Sequence, residues 1–259
     1  MTNFQLKNGS IAATRHGNGS KLLIAVHGYG DSQANMQNFA KAYCNKDYTV
    51  YTFDLPLHGE GEWQGSVFTT EDFAEFIDAV LAAETAYKYY DLAGYSLGGR
   101  VALSSLGVLK NKPQALHLFA SAGAPQNKFH PYFKVPLLFK TIVQKITKQP
   151  NWLVRLARFA HKINLISAFQ LAFTEKCFTN EDTRNKLFFW WNSLHFLPIN
   201  KRQVQDIIVF NQLKVHCVFG KKDVVIPKKS AEWFEKNFSL ASIKFVDEGH
   251  RGVIMNVRD

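Results

Sequence analysis

Up to about Pro125 the chain alternates short apolar runs with amphipathic stretches. Lys21–Val26 (KLLIAV) is a continuous apolar run, the pattern of a strand buried on both faces. Tyr48–Phe53 (YTVYTF), Tyr89–Gly94 and Ala115–Ala120 also read as strands. Between them Ala34–Tyr43, Thr70–Glu84 and Gly99–Leu109 read as helices. In the second of these, Thr70 reads as the cap, Glu71 and Asp72 suit the first turn, and Phe73, Phe76, Ile77 and Val80 share a face. Near the start, Phe4–Lys7 and Ile11–Thr14 read as two strands joined by Asn8-Gly9, a strong hairpin signal. The alternation stops after Pro125. It resumes with a strand at Val215–Gly220 (VHCVFG), a helix at Ser230–Phe238 and a strand at Ile243–Asp247. Strand–helix alternation of this kind predicts an α/β fold, a doubly wound, mostly parallel sheet with helices on both faces.

The interruption at 126–202 coincides with a shift in composition. The 259 residues carry a formal charge of +10, and residues 126–202 hold 13 Lys or Arg against 3 Asp or Glu. The excess therefore lies wholly in that block, which also holds 14 of the 36 Phe, Trp and Tyr. A separate unit inside a neutral core, 1–125 and 203–259, is expected. Within the block, Asn151–Leu165 puts Trp152, Leu156, Phe159 and Ile163 on one face, with Arg155, Arg158 and Lys162 as a second stripe. Glu181–Leu194 spaces Leu187, Trp190, Trp191 and Leu194 helically, with Asn180 as its cap.

The other global features exclude several classes. Three cysteines with no C-x-x-C fit a reducing compartment. The first residues lack the pattern of a signal peptide, and no apolar run approaches a membrane span. A soluble, cytoplasmic protein is expected. No P-loop, G-x-G-x-x-G or H-E-x-x-H occurs, so no cofactor and no metal are expected. His130, His161 and His195 show no metal-ligand spacing. Nucleic acid is not an expected partner, because the basic residues interleave with core-like apolar ones.

The sharpest chemical signal is Gly94-Tyr95-Ser96-Leu97-Gly98-Gly99, a G-x-S-x-G between an expected strand and an expected helix. A serine hydroxyl is a weak nucleophile and needs to be held exposed on a tight turn beside a base. Small residues at 94 and 98 let that turn close, and the Leu97 N–H, opening the helix, points where an oxyanion would develop.

With these residues the chain resembles the α/β-hydrolase family, over nearly its whole length. His27-Gly28-Tyr29-Gly30 is similar to the family's H-G-x-G oxyanion loop, which implies the Tyr29 N–H as the second oxyanion donor. Asp54-Leu55-Pro56-Leu57-His58-Gly59 is similar to the family's D-x-P-G-H-G turn, with Leu57 in place of a glycine. Asp223 follows strand VHCVFG where the family places its acid, and His250 follows the last strand where it places its base. Ser96, Asp223 and His250 then stand in the nucleophile–acid–base order of that fold. The segment after the sixth strand, Phe119–Ala124, holds no competing carboxylate. The resemblance also implies that 126–202 is a helical cap inserted after the sixth strand.

The expected activity is that of a serine hydrolase cleaving an ester or thioester with an apolar acyl part. Ser96, Asp223 and His250 would be catalytic, with Tyr29 and Leu97 forming the oxyanion hole. His58, Trp152, Trp190 and Trp191 are candidate pocket residues, although His27 and His58 also read as residues that position their loops. Two other readings stay open. Gly94–Arg100 (GYSLGGR) resembles the elbow of the menaquinone-pathway synthase of this fold, a carbon–oxygen lyase, and the fold can also serve as a non-catalytic receptor. The aromatic helices read either as a ceiling over an acyl pocket or as a cap packed on the core. The basic block suits a small anionic or lipid-like acyl substrate, or peripheral contact with an anionic bilayer. Substrate identity and oligomeric state do not follow from these residues.

Overall fold

The computed structural model describes residues 1–123, 150–238 and 241–256. They fall into two compact units, one drawn from Met1–Gln126 and Phe196–Asp259, the other from Asn127–His195. Residues 124–149, and with them the first part of the expected cap and His130, lie outside the described residues.

The first unit is built on an eight-stranded sheet. Its strands are β1 (Thr2–Leu6), β2 (Gly9–His16), β3 (Lys21–Val26), β4 (Tyr48–Phe53), β5 (Tyr90–Tyr95), β6 (Ala115–Phe119), β7 (Lys214–Gly220) and β8 (Ala241–Val246). They lie in the order β1-β2-β4-β3-β5-β6-β7-β8. The pairs β1–β2 and β2–β4 are antiparallel and all the others are parallel. The core runs through β3, whose Leu22 to Val26 are at most 1% exposed, as its unbroken apolar run requires. The hairpin turn is shifted by one residue from the sequence expectation. Leu6 pairs with Gly9, so Lys7-Asn8 make the turn and Gly9 opens β2 at φ +144°.

A 3₁₀ turn at Gln33–Met36 leads into α1 (Gln37–Cys44), and α2 is Thr70–Ala83. The cap of α2 is Thr69 rather than Thr70. The Thr69 hydroxyl accepts from the Asp72 N–H, and the Asp72 carboxylate accepts from the Thr69 N–H, a reciprocal box that Thr70 could not make with Asp72. Helix α3 spans Leu97–Ser105 and begins immediately after the elbow serine. The order of strands reverses beside β3, whose two parallel neighbours are β4 and β5. In open α/β sheets the crevice at the carboxyl ends of strands at such a switch point is where ligands bind, and both His27 and Ser96 emerge there.

The second unit lies in sequence between β6 and β7. Its described helices are α4 (Pro150–Lys162), α5 (Ala168–Thr179) and α6 (Glu181–Ser193). Asn180 caps α6 as expected, its side-chain oxygen accepting from the Asp182 and Thr183 N–H groups. Residues 196–202, counted with the insertion on charge, belong to the sheet unit instead. Leu197 is fully buried, and Ile199 reaches the space beside Gly123 that Leu103 and Phe234 also fill. These apolar anchors precede α7 (Lys201–Phe210), which the charge count cut through. The chain continues through β7, α8 (Lys228–Asn237), β8 and α9 (Gly252–Met255). Among the described residues no helix is long and apolar enough to cross a membrane. The three cysteines are unbridged, and burial pushes the Cys217 thiol up to about 12.

Candidate active site

The elbow is a backbone event before it is a chemical one. Ser96 takes φ +50° and ψ −113°, a left-handed conformation that L-residues avoid. The neighbouring glycines make it possible. A Cβ on Gly98 would sit 2.3 Å from the Val26 carbonyl oxygen, and one on Gly94 would sit 2.6 Å from the Gly98 oxygen. Strand β5, helix α3 and the end of β3 can converge only because both side chains are absent. The Ser96 backbone is then held firmly. Its N–H donates to Phe119 O at 2.9 Å, and its carbonyl accepts from Gly99, Arg100 and Ala122.

Three side chains from three loops meet at this point. His250 Nε2 lies 3.0 Å from Ser96 Oγ, and His250 Nδ1 lies 2.7 Å from Asp223 Oδ2. Asp223 is 1% exposed at its side chain, while the His250 ring is 19% exposed. The other Asp223 oxygen, Oδ1, accepts from the Val225 and Ile226 N–H groups at 2.8 Å each. The turn after β7 thus holds Oδ1 and orients the carboxylate so that Oδ2 faces His250. Tyr95 lies against the His250 ring at 5.2 Å between centroids and donates its hydroxyl to His250 O. Burial holds the Tyr95 phenol well above its usual value, so it stays protonated and remains a donor.

The His27–Gly30 loop runs beside the serine. A Cβ on Gly28 would meet the Tyr95 ring at 2.9 Å and Ser96 Cβ at 3.1 Å, so the loop approaches that closely only with glycine there. Two buried histidines pin it to the 54–60 turn. The Leu55 N–H donates to His27 Nε2 at 3.0 Å, and the Gly30 N–H donates to His58 Nε2 at 3.0 Å. Each ring therefore carries its proton on Nδ1, which donates to Gly28 O in His27 and to Pro56 O in His58. His58, a candidate pocket residue by sequence, is thus placed as the fastener of this loop, buried and edge-on to Tyr29. Asp54 ties the same turn to the next segment, accepting from the Gln33 N–H and side-chain amide and from the Glu60 N–H. Sequence reasoning passed over Gln33 and Asp54 as fasteners, and no motif marks Gln33. The Tyr29 and Leu97 backbone N–H groups belong to the two segments that flank Ser96. Leu97 opens α3, so its N–H has no partner within the helix. Of the other candidates, Trp190 is buried, Trp191 is intermediate and Trp152 is 45% exposed on α4.

Leu57 stands where the family turn has glycine, and it adopts φ +62° and is 41% exposed. A left-handed L-residue costs about 1–2 kcal/mol, while glycine's extra unfolded-state entropy returns about 0.5–1 kcal/mol. The net gain is up to about 1.5 kcal/mol, so Leu57→Gly is expected to raise Tm by up to about 6 °C in a thermal melt. A lower Tm would show that the leucine side chain contributes packing that outweighs the strain.

Comparison with known proteins agrees with this architecture. A model of the family described as serine aminopeptidase S33 matches residues 17–249. Among curated relatives, the 2-succinyl-6-hydroxy-2,4-cyclohexadiene-1-carboxylate synthase of Escherichia coli O157:H7 is 33% identical over 93 residues, 36% of this chain and 35% of that protein. The matches to the first curated relatives reach only 23% to 35% of their lengths. A thermophilic esterase from Thermogutta terrifontis aligns with TM-score 0.70 at 13% identity, over 99% of this chain and 94% of that one. The thioesterase domain from the curacin biosynthetic pathway aligns with TM-score 0.66 at 15% identity, over 98% of this chain and 94% of that one. At such identities these two share the fold. The family match, spanning β3 to β8 and ending at Gly249, shows that the chain belongs to the serine aminopeptidase S33 family, and its architecture is the α/β-hydrolase fold.

Proposed function

We propose that the protein is a serine hydrolase that cleaves an ester or thioester with an apolar acyl part through an acyl-enzyme on Ser96. The observation that carries this reading is the line of hydrogen bonds from Asp223 through His250 to Ser96 Oγ. Ser96 Oγ attacks the substrate carbonyl while His250 Nε2 takes its proton. Asp223 keeps the proton on Nδ1 and stabilises the imidazolium that forms. The Tyr29 and Leu97 N–H groups receive the oxyanion. His250 returns its proton to the leaving alcohol or thiol, and the carbon–oxygen or carbon–sulfur bond breaks. Water, deprotonated by His250, then releases the acid and restores Ser96.

A second reading is a carbon–oxygen lyase acting at the same serine. It is favoured by GYSLGGR at 94–100 and by the match to the E. coli synthase. A panel of p-nitrophenyl esters and acyl thioesters of increasing acyl length separates the two. Turnover that rises with acyl length and is lost in Ser96→Ala supports the hydrolase. Reaction of Ser96 with fluorophosphonate but no turnover of any ester or thioester would move the assignment to the lyase. With a charge of +10, the protein is also expected to gather anionic esters electrostatically. For an ester bearing a carboxylate, kcat/KM should fall as ionic strength rises through about 0.1 M. A flat response would show that the charge does not gather the substrate.

A further inference from the structure

On an ideal helix the apolar residues of α4 (Pro150–Lys162) form one broad arc, from Phe159 through Leu156, Ala160 and Leu153 to Val154. Val154 is 6% exposed and marks the side that packs. At the other end of the arc, Trp152, Leu156, Phe159 and Ile163 fall within about 60° on an ideal helix. Those four are 45%, 54%, 60% and 48% exposed, and Leu165 just beyond is 72% exposed. That stripe of the helix therefore faces outward. The end of the arc around Val154, and not the stripe that the periodicity singles out, is the more deeply buried part.

One flank of that outward stripe is basic. Arg155, Arg158 and Lys162 lie about 100° round the helix from it. Among the described residues, Glu175 of α5 meets this flank, 2.7 Å from Arg158 Nε in an exposed pair. The unit as a whole, 127–195, holds 11 Lys or Arg and 3 Asp or Glu. An exposed aromatic and aliphatic stripe beside a cationic flank is the composition of a helix that lies in the plane of a lipid interface. A stripe awaiting an apolar protein groove would not need the cations, whereas an anionic surface engages both halves of the helix at once.

We propose that the outward face of α4 docks on an anionic lipid bilayer, its apolar stripe entering the interface and Arg155, Arg158 and Lys162 meeting the head groups. The inference does not depend on the chemistry assigned to Ser96. It is tested with the full chain by co-sedimentation with vesicles of phosphatidylcholine alone and of phosphatidylcholine with phosphatidylserine. The expected result is partition onto the mixed vesicles that weakens with added NaCl and is much weaker on phosphatidylcholine alone. Each basic residue near such a surface is worth about fivefold in partition, so Arg155→Gln with Lys162→Gln should cost about 25-fold. Leu156→Ser with Phe159→Ser should abolish binding. These side chains are exposed, and unchanged far-UV circular dichroism and Tm would show that the variants fold. Absence of binding by the wild type, or equal binding by the basic double variant, overturns the proposal. A concentration-dependent dimer of the wild type that Leu156→Ser with Phe159→Ser dissolves also overturns it, because a second copy would then cover the face.

Discussion

Replacing Ser96 by alanine is expected to lower kcat about 10⁶-fold while leaving the fold intact, because nucleophile and base act as a unit and losing either forfeits nearly the whole of their contribution. The residual rate would come from the flanking N–H groups and from binding alone. The structural half of this expectation follows from the position of the hydroxyl. Ser96 is the residue before α3, where a serine side chain commonly caps the helix and its loss costs about 1 kcal/mol. Here the side chain makes no capping bond and instead lies 3.0 Å from His250 Nε2. Its removal should shift Tm by no more than about 2 °C, the scale of a change below 1 kcal/mol in a chain of this size. Steady-state assays and thermal melts of the same preparation check both halves. Ester turnover within tenfold of wild type would contradict the role given to Ser96.

Asp223→Asn is the second large effect, with kcat expected to fall about 10⁴-fold. The direction follows from the bonds around the carboxylate. Oδ1 accepts two backbone N–H groups, so an asparagine must keep its carbonyl oxygen on that side. Its NH₂ then faces His250 Nδ1 and donates to it. His250 is forced to carry its proton on Nε2, which points that N–H at Ser96 Oγ and leaves no lone pair to take the serine proton. The geometry survives and the tautomer is wrong. KM should change little, since no substrate contact is assigned to Asp223. An asparagine variant with wild-type kcat would show that another group orients His250. Measured together with Ser96→Ala, the double variant should be no slower than Ser96→Ala alone, as expected of residues that act together.

The parts of the fold that the sequence carries most plainly are those where one pattern permits one structure. Strands β3 and β4 have the bounds expected from KLLIAV and YTVYTF, because a strand buried on both faces has no solvent face to slip towards. The elbow was legible because its glycines are required by backbone contacts shorter than a Cβ allows. Ser96 is legible in its G-x-S-x-G between strand and helix, whereas Asp223 and His250 follow only from the resemblance, and the structure brings all three within hydrogen-bond reach. Adjacent threonines at 69 and 70 hid the true cap, because only the reciprocal bond to Asp72 distinguishes them. Helix α5 escaped notice since its apolar residues are spread round the whole helix, leaving no stripe for periodicity to detect. Helix α4 shows the opposite limit. Its periodicity is strong, yet it names a stripe without saying whether protein or solvent meets it, and the structure turns that stripe outward. Charge, used to bound the insertion at 202, follows the surface and not the packing, so it overran Leu197 and Ile199 into the sheet unit.

The proposed reaction requires Ser96 Oγ to be an activated nucleophile. The most direct measurement is mass spectrometry of the protein after brief exposure to a fluorophosphonate. The prediction is one adduct per chain, located on the peptide containing Ser96, absent in Ser96→Ala and formed far more slowly in Asp223→Asn. No adduct, or an adduct on another serine that persists in Ser96→Ala, would contradict it.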